Sequence, residues 1–346
     1  MKPIAITELH GDGIGPELAE SIHTIAGSLP LEFDFHPVDW SLETREERGD
    51  AAIDEAAESM EHTRLALKYP TVTKSRSPNA LIRRRCGFSV IYRPAISIPG
   101  IDSNFKEDVN LHIVRVATGG TYDDPGMLVG RDSAVSIRMV EREPVAQAAT
   151  FAFELARKKN LHVTSASKYT IQKATDGLFE KVVDDVKAGY SDVPHKRELF
   201  DALLAKVILA PENFQIVLVL NEYGDFLSDM AGGLVGSLGT GASGNFAFDV
   251  VRNIKVAMFD PAGGTAPDIA GQNICNPTAM LLAFGMCLDH LDQYPIGHAL
   301  RLSILGAIKD RECTRDLGGK LNTDEFTHIV TQRLPDFLPK IGTARV

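Results

Sequence analysis

Phe214-Gln-Ile-Val-Leu-Val-Leu220 runs directly into Asn221-Glu-Tyr-Gly-Asp225-Phe-Leu-Ser-Asp229. The first stretch is almost continuously apolar, without the alternation of a strand wetted on one side, which predicts a strand covered on both faces. The residues after it, from Phe226 to Leu234, take a helical spacing. A doubly covered strand followed at once by a helix is the repeating unit of an α/β sheet. Ligands in such sheets collect beyond the carboxyl ends of the strands, which is where Asp225 and Asp229 fall. Four residues apart, the two carboxylates project from one face. Two hard oxygen ligands on a rigid element suit Mg²⁺ or Mn²⁺; the bland alternative is a solvated helix N-terminus, where Asp is favoured in any case.

The alternation of strand and helix extends in both directions from this unit. Upstream, residues 3–9 are predicted as a strand, followed by Gly11-Asp-Gly-Ile-Gly-Pro16-Glu17 and a helix to about Ala26, with Pro16 at its first position and Glu17 at the positive end of its dipole. Ala51–Thr63 and Pro78–Arg85 are predicted helices, and Leu65–Leu67, Phe88–Tyr92 and Leu111–Arg115 strands; a polar loop over 117–124 follows the last. Val145–Lys159 and Gly177–Lys187 carry apolar residues at three- and four-residue spacing, as helices do. Downstream come a strand at Val256–Phe259 and helices over Thr278–Leu291, 297–309 and 323–334. Gly is dense over 231–244, which suggests a crossing or hinge between domains.

The N-terminal glycine loop is not the G-x-G-x-x-G of a dinucleotide fold, because its third Gly follows the second by two residues. It implies only a tight turn with close backbone approach.

A chain of 346 residues fits one large or two moderate domains, and 44% hydrophobic residues supply an ample core. The net charge of −10 argues against a general binder of nucleic acid or acidic membrane. It does not exclude a small acid held by a local cluster of cations. Cys86, Cys275, Cys287 and Cys313 lack metal-ligand spacing and are expected to be free thiols in a reducing compartment. No apolar run reaches the ~18–20 residues that cross a bilayer. The N-terminus leads straight into a strand, so a cytoplasmic protein is expected, or an organelle-matrix one after processing.

Arg83, Arg84 and Arg85 share a helical turn, while Arg93 and Arg115 close apolar strands, where ligand pockets lie. Several guanidinium groups together would hold a polycarboxylate through paired hydrogen bonds, although exposed Arg is common and each alone reads as surface. Tyr122 and Lys168 are candidate proton-transfer groups on condition that their surroundings lower their pKa.

Taken in order along the chain, these fragments resemble one family, the β-decarboxylating dehydrogenases that act on isocitrate, 3-isopropylmalate, homoisocitrate and tartrate. The resemblance rests on GDGIGPE at 11–17, YRP at 92–94, TGGTY at 118–122, KYTIQKATDGLF at 168–179, NEYGDFLSD at 221–229, GGTAPDIAG at 263–271, NPTA at 276–279 and DLGG at 316–319. It implies a two-domain α/β fold distinct from the Rossmann fold. One domain would be built from 1–98 and 248–346 and carry most of the cofactor site. The other, from 99–247, would carry the metal site and the dimer interface, with the active site in the cleft between.

The resemblance also implies roles. Asp225 and Asp229 would bind Mg²⁺ or Mn²⁺, joined by Asp201 from a partner subunit. Arg83, Arg93 and Arg115 would clamp the substrate carboxylates. Lys168, again from across a homodimer interface, would take the proton of the substrate hydroxyl, and Tyr122 would protonate the enol. Gly264, Thr265, Ala266, Asp268 and Asn276 would bind the cofactor; Asp268 favours NAD over NADP, since a carboxylate accepts from ribose hydroxyls and repels a 2′-phosphate. In Ser77-Pro-Asn79-Ala-Leu-Ile-Arg83, the polar Ser77 and Asn79 point to isocitrate rather than an isopropyl-bearing acid. The implied activity is oxidation and decarboxylation of isocitrate to 2-oxoglutarate with NAD. The same chemistry on isopropylmalate, homoisocitrate or another malate derivative is the alternative, and a non-catalytic regulatory subunit is the alternative of another kind.

Four departures from the family pattern touch the cofactor side. The 68–77 loop is short, Val116 and Ala117 stand where Glu and Asn are usual, Gly263 replaces a His, and Tyr169-Thr170 follow Lys168 in place of Ala or Gly and then Asn.

Overall fold

Ten strands lie side by side in one sheet, and their directions divide it into two parallel wings joined by an antiparallel centre. The structure, a computed structural model, describes residues 2–74, 76–105, 108–236 and 241–339. In chain order the elements are β1 (Ile4–His10), α1 (Gly15–Ala26), β2 (Phe33–Asp39), α2 (Leu42–Arg48), α3 (Asp50–Thr63), β3 (Leu65–Lys68), α4 (Pro78–Cys86), β4 (Phe88–Ile96) and β5 (Asn110–Val116). Next come β6 (Met127–Val129), β7 (Ser133–Val135), α5 (Arg142–Lys159), β8 (Val163–Ser167), α6 (Thr175–Lys187), β9 (His195–Leu199), α7 (Phe200–Leu209), β10 (Ile216–Val219) and α8 (Asn221–Val235). The chain closes with β11 (Ala242–Phe248), β12 (Ile254–Pro261), α9 (Thr278–His290), α10 (Tyr294–Lys309) and α11 (Thr323–Phe337).

The sheet order is β2-β1-β3-β12-β11-β4-β5-β10-β8-β9. β2, β1, β3 and β12 are parallel to one another, as are β5, β10, β8 and β9. Between them β11 and β4 pair antiparallel with each other and with their outer neighbours. The first wing therefore takes strands from the start and the late part of the chain, and the second only from its middle.

The doubly covered strand is β10, whose four residues are all buried. α8 begins at Asn221, earlier than the sequence suggested, so Glu222 sits in its first turn and Asp225 a turn further along. It continues through two glycines to Val235; within the glycine-dense stretch, 237–240 lie outside the described residues, and β11 follows. β2, β8, β9 and the β6–β7 hairpin were not anticipated. β8 is polar by composition (Val-Thr-Ser-Ala-Ser) yet wholly buried; Glu180 accepts from the Ser165 and Ser167 hydroxyls, whereas among the described residues the Thr164 hydroxyl has no partner. Pro16 occupies the second rather than the first position of α1. All four cysteines are free, and no described helix is long and apolar enough to cross a membrane.

Packing on the two faces of the sheet is unequal. On one face a single apolar layer spans both wings, from Ile6 and Leu67 through Phe259, Val90 and Val114 to Leu218, covered by α1, α5, α9 and α10. On the other face the apolar contacts break into two clusters. One packs Leu9, Ala66 and Met258 under α3 and α4; the other packs Ile113, Val217 and Val219 under α7 and α8. The gap between them lies over the central strands. A cleft follows from this division of the core.

The N-terminal glycine loop is pressed against the chain's distant parts. Gly13 has φ +61°, and a Cβ there would stand 1.9 Å from the Thr265 carbonyl oxygen. The next amide, of Ile14, donates to that same oxygen at 3.0 Å. Gly13→Ala therefore meets both left-handed backbone strain and a clash with main chain, and is expected to cost about 2–4 kcal/mol. Thermal unfolding should show the loss; a Tm equal to that of the unsubstituted protein would contradict the contact.

Candidate active site

The cleft floor is polar because of strand register. Directly paired residues on neighbouring strands point to the same face, as do residues two apart on one strand. Ile91 pairs with Arg115 on β5 and with Asn245 on β11, and Asn245 pairs with Met258 on β12. Two residues further along the same strands stand Arg93, Ser243 and Asp260, with Ser243 paired to Asp260. Lys68 ends β3 beside them. Arg93, Arg115, Asn245, Asp260 and Lys68 thus share the divided face. α4 brings Arg83 from one side and α8 brings Asp225, Ser228 and Asp229 from the other.

These side chains form two linked groups. On the first wing, Lys68 Nζ lies 3.7 Å from Asp260, Asn245 Nδ2 donates to Asp260 at 3.0 Å, and Arg83 Nε donates to Asn245 Oδ1 at 3.0 Å. On the second, Arg93 Nη1 donates to Ser228 at 2.9 Å and reaches Asp225 and Asp229 at 3.4 Å each. Arg115 pairs with Asp225 and donates through Nε to Asn221 at 2.9 Å. Tyr122 OH donates to the other Asp225 oxygen at 3.0 Å, with the Arg115 guanidinium 5.7 Å from the centre of its ring.

Electrostatics tie the groups together. Burial, with Arg115 and Arg93 nearby, lowers the Arg83 pKa to about 10, although Asp260 and Asp225 oppose the shift. Burial would raise the Asp225 carboxyl, but Arg115, Arg93 and the Tyr122 hydroxyl outweigh it and hold Asp225 below the usual carboxylate range. Tyr122 is pushed above its ordinary value by burial and by Asp225, the reverse of the lowering that the sequence reading asked of a proton-transfer group. Among the described residues, the Arg93 Nε and the Asn79 carbonyl oxygen are buried without hydrogen-bond partners. Such atoms suit a polar ligand, because an unpaired buried donor or acceptor is costly.

Lys168 and Asp201 stand apart from this assembly. They pair with each other at 2.6 Å, and the Lys168 contact lowers the Asp201 carboxyl. Among the described residues no hydrogen bond or ion pair joins either side chain to Asp225, and no group of three or more His, Cys, Asp or Glu gathers as a metal site. Asp225 and Asp229 alone, one turn apart on α8, offer two oxygen donors to a divalent ion.

Ser77 is exposed and caps α4, accepting from the Ala80 amide at 3.3 Å. On the cofactor side, Gly264 and Thr265 lead into Ala266, whose φ is +38°. The Asp268 carboxylate is exposed at the end of this turn. Glu17 accepts from the amides of Gly271 and Asn273 at 3.0 and 2.7 Å, which is its use beyond the helix dipole. Asn276 is held internally: its amide donates to Asp316 at 2.8 Å and its oxygen accepts from the Thr278 amide at 2.9 Å. Of the departures from the family pattern, Val116 packs into the continuous apolar layer, away from the arginines.

Lys68, Asn221, Asn245 and Asp260 were missed in the sequence. Asn221 opens a motif quoted above, so its place offered a signal; the other three carry none without the strand register.

The comparisons with known proteins give the chain a family. Residues 5–330 match the family described as isocitrate/isopropylmalate dehydrogenase, and the chain belongs to it. It is 32% identical to the mitochondrial isocitrate dehydrogenase [NAD] subunit alpha of Bos taurus, covering 96% of this chain and 90% of that one. It is 33% identical to mitochondrial isocitrate dehydrogenase [NAD] catalytic subunit 5 of Arabidopsis thaliana, covering 96% and 89%. The crystal structure of isocitrate dehydrogenase from Methylococcus capsulatus superposes with a TM-score of 0.84 at 30% identity, covering 95% of this chain and 99% of that one.

Three guanidinium groups and two unpaired buried atoms should respond to a small tricarboxylate. Citrate at a hundredfold excess over its Kd is expected to stabilise the protein by about 2.7 kcal/mol, read as a rise in Tm. Arg115→Met should remove most of the rise; a rise that persists would place the anion elsewhere.

Proposed function

We propose that this protein catalyses metal-dependent oxidative decarboxylation of a 2-hydroxy polycarboxylate, with isocitrate, NAD and 2-oxoglutarate as substrate, cofactor and product. The observation that carries this is the convergence of Arg83, Arg93, Arg115, Tyr122 and Asp225 in one cleft. The two units expected from the sequence, 1–98 with 248–346 and 99–247, would supply its two walls.

The arginines would grip the substrate carboxylates by forked hydrogen bonds and orient the hydroxyl-bearing carbon. Asn79, with its buried unpaired oxygen, and Ser77, both at the start of α4, would favour an additional polar group on the acid over an isopropyl chain. A divalent ion, Mg²⁺ or Mn²⁺, would be held by Asp225 and Asp229 with the partner subunit's Asp201. It would lower the proton affinity of the hydroxyl and balance negative charge on the same oxygen. Lys168 would accept the hydroxyl proton, and bound NAD would supply the hydride acceptor. Once CO₂ has left, Tyr122 would return a proton to carbon, its hydroxyl already oriented by Asp225. NAD would lie along 264–268 with Asp268 on its ribose, and Asn276, fixed by Asp316 and Thr278, at the adenine side.

A second copy of the chain is part of the proposal. Lys168 and Asp201 form their own pair away from Asp225, as expected of groups delivered to a neighbour. The β6–β7 hairpin exposes Met127, Leu128 (78%), Val129 and Val135, followed by Ile137 (68%) and Met139, and Phe226 on α8 is also exposed. Exposed apolar side chains gathered on one hairpin suit a surface that another copy of the chain would cover. Of the two compartments open to the sequence, the names of the mitochondrial relatives support the organelle matrix.

The test is a panel of isocitrate, homoisocitrate, isopropylmalate, malate and tartrate with Mn²⁺ and either NAD or NADP. Isocitrate with NAD should give the highest turnover, EDTA should abolish it, and Mn²⁺ should restore it. Reduction of neither cofactor by any acid would favour the non-catalytic subunit. Lys168→Met should lower kcat by at least about a hundredfold with Tm unchanged; retained turnover would remove Lys168 from its role.

A further inference from the structure

A buried ion cluster behind the cleft joins three segments that otherwise have separate tasks. Its centre is Arg138, whose side chain is 13% exposed. Arg138 pairs with Asp176, donates to Thr175 Oγ1 at 3.2 Å and to Glu222 Oε1 at 2.7 Å, and stacks 5.0 Å from the centre of the Tyr223 ring. Asp176, fully buried, also accepts from the Lys168 backbone amide at 2.6 Å and from Tyr223 OH at 3.2 Å. Met139, the next residue after Arg138, exchanges both backbone hydrogen bonds with Gly120, at 2.7 and 3.1 Å, two residues before Tyr122. Gly120 (φ +71°) also backs onto Glu222 so closely that a Cβ would stand 1.9 Å from its Oε2.

The Arg138 guanidinium therefore ties the first turn of the helix carrying Asp225 and Asp229 to the segment carrying Lys168, and the backbone of Met139 beside it holds the turn carrying Tyr122. The residue type matters. A planar fork can hold two carboxylates in fixed relative positions, whereas a lysine ammonium is a point charge on a flexible stem. Buried carboxylates need a paired charge, and Arg138 supplies it through Nε to Glu222 and Nη1 to Asp176, although among the described residues its Nη2 and Glu222 Oε2 have no partner; movement of one segment therefore disturbs the contacts of the others.

We propose that Arg138 and Asp176 are positioning residues serving two active sites at once: they hold the Tyr122–Asp225 half of a protomer's own site and the Lys168 that it lends to its partner. This rests on the shared-site dimer proposed above. Geometry lost at either end should reduce kcat more than it weakens substrate binding, because the arginines that grip the acid lie outside the cluster.

Mixed dimers test this. Two variants are co-expressed with different tags and purified as the heterodimer. Tyr122→Phe paired with Lys168→Met leaves one site of two with both groups intact, so activity should return. Arg138→Lys should lower kcat by about tenfold or more, up to a hundredfold for Arg138→Met, with KM for the acid changed less than about threefold. Because Arg138→Met strands two buried carboxylates, the Lys variant is the one carried into the mixtures, with Tm measured beside it. Paired with Tyr122→Phe or with Lys168→Met, Arg138→Lys should remain low in both mixtures, since it impairs its own half and its lent lysine. Return of activity in either mixture, or a kcat equal to that of the unsubstituted protein, overturns the inference. Failure of Tyr122→Phe and Lys168→Met to complement each other instead overturns the shared site, and the inference with it.

Discussion

Like charges held in a cleft need opposite charges beside them, and this requirement organises the molecule. Arg83, Arg93 and Arg115 are brought together by three adjoining elements; Arg115 and Arg93 lower the proton affinity of Arg83, and Arg93 that of Arg115. Asp225 and Asp260 are the acids that make the arrangement tenable, one from α8 and one from β12. Each is also tied to something further: Asp225 to Tyr122, Asp260 to Lys68 and Asn245. A polycarboxylate entering between the two groups would meet cations whose partners are already placed, so little reorganisation accompanies binding.

The position of those charges is set by the unequal faces of the sheet. An unbroken apolar layer on one side locks the strands in register, and register decides which residues point the other way. A slip of one residue on β4 would turn Arg93 into the apolar layer and Tyr92 into the cleft. The antiparallel pairing of β4 with β11 and β5 thus has a chemical consequence as well as a structural one. It lines up basic and polar residues from two wings that come from different parts of the chain.

Much of this was legible in the sequence. The α/β class followed from β10 and its helix, and the family from motifs spread along the chain. The arginines, Tyr122 and the aspartates were named because each lies in a local pattern. Lys68, Asn245 and Asp260 were not, because a lysine ending a short strand and an asparagine among glycines acquire meaning only through cross-strand pairing. β8 escaped notice since Thr164, Ser165 and Ser167 look solvated, whereas Glu180 from α6 satisfies Ser165 and Ser167 inside the core. β9, with His195, Lys196 and Arg197, reads as surface and is in fact the edge of the sheet. The Arg138 cluster was invisible for the same reason: its members are far apart in sequence and each is ordinary alone.

The first wing cannot be finished until nearly the whole chain exists. β3 pairs with β12, Gly13 rests on Thr265, and α1 packs against α11. The second wing needs only the stretch from β5 to α8. During synthesis on a ribosome, the middle of the protein can therefore become compact while the N-terminal segment, already outside the tunnel, still waits for its late partners. For that interval β3, whose outer neighbour is β12, presents an apolar, unpaired edge, and the cell's chaperones have their clearest opportunity to engage the nascent polypeptide there.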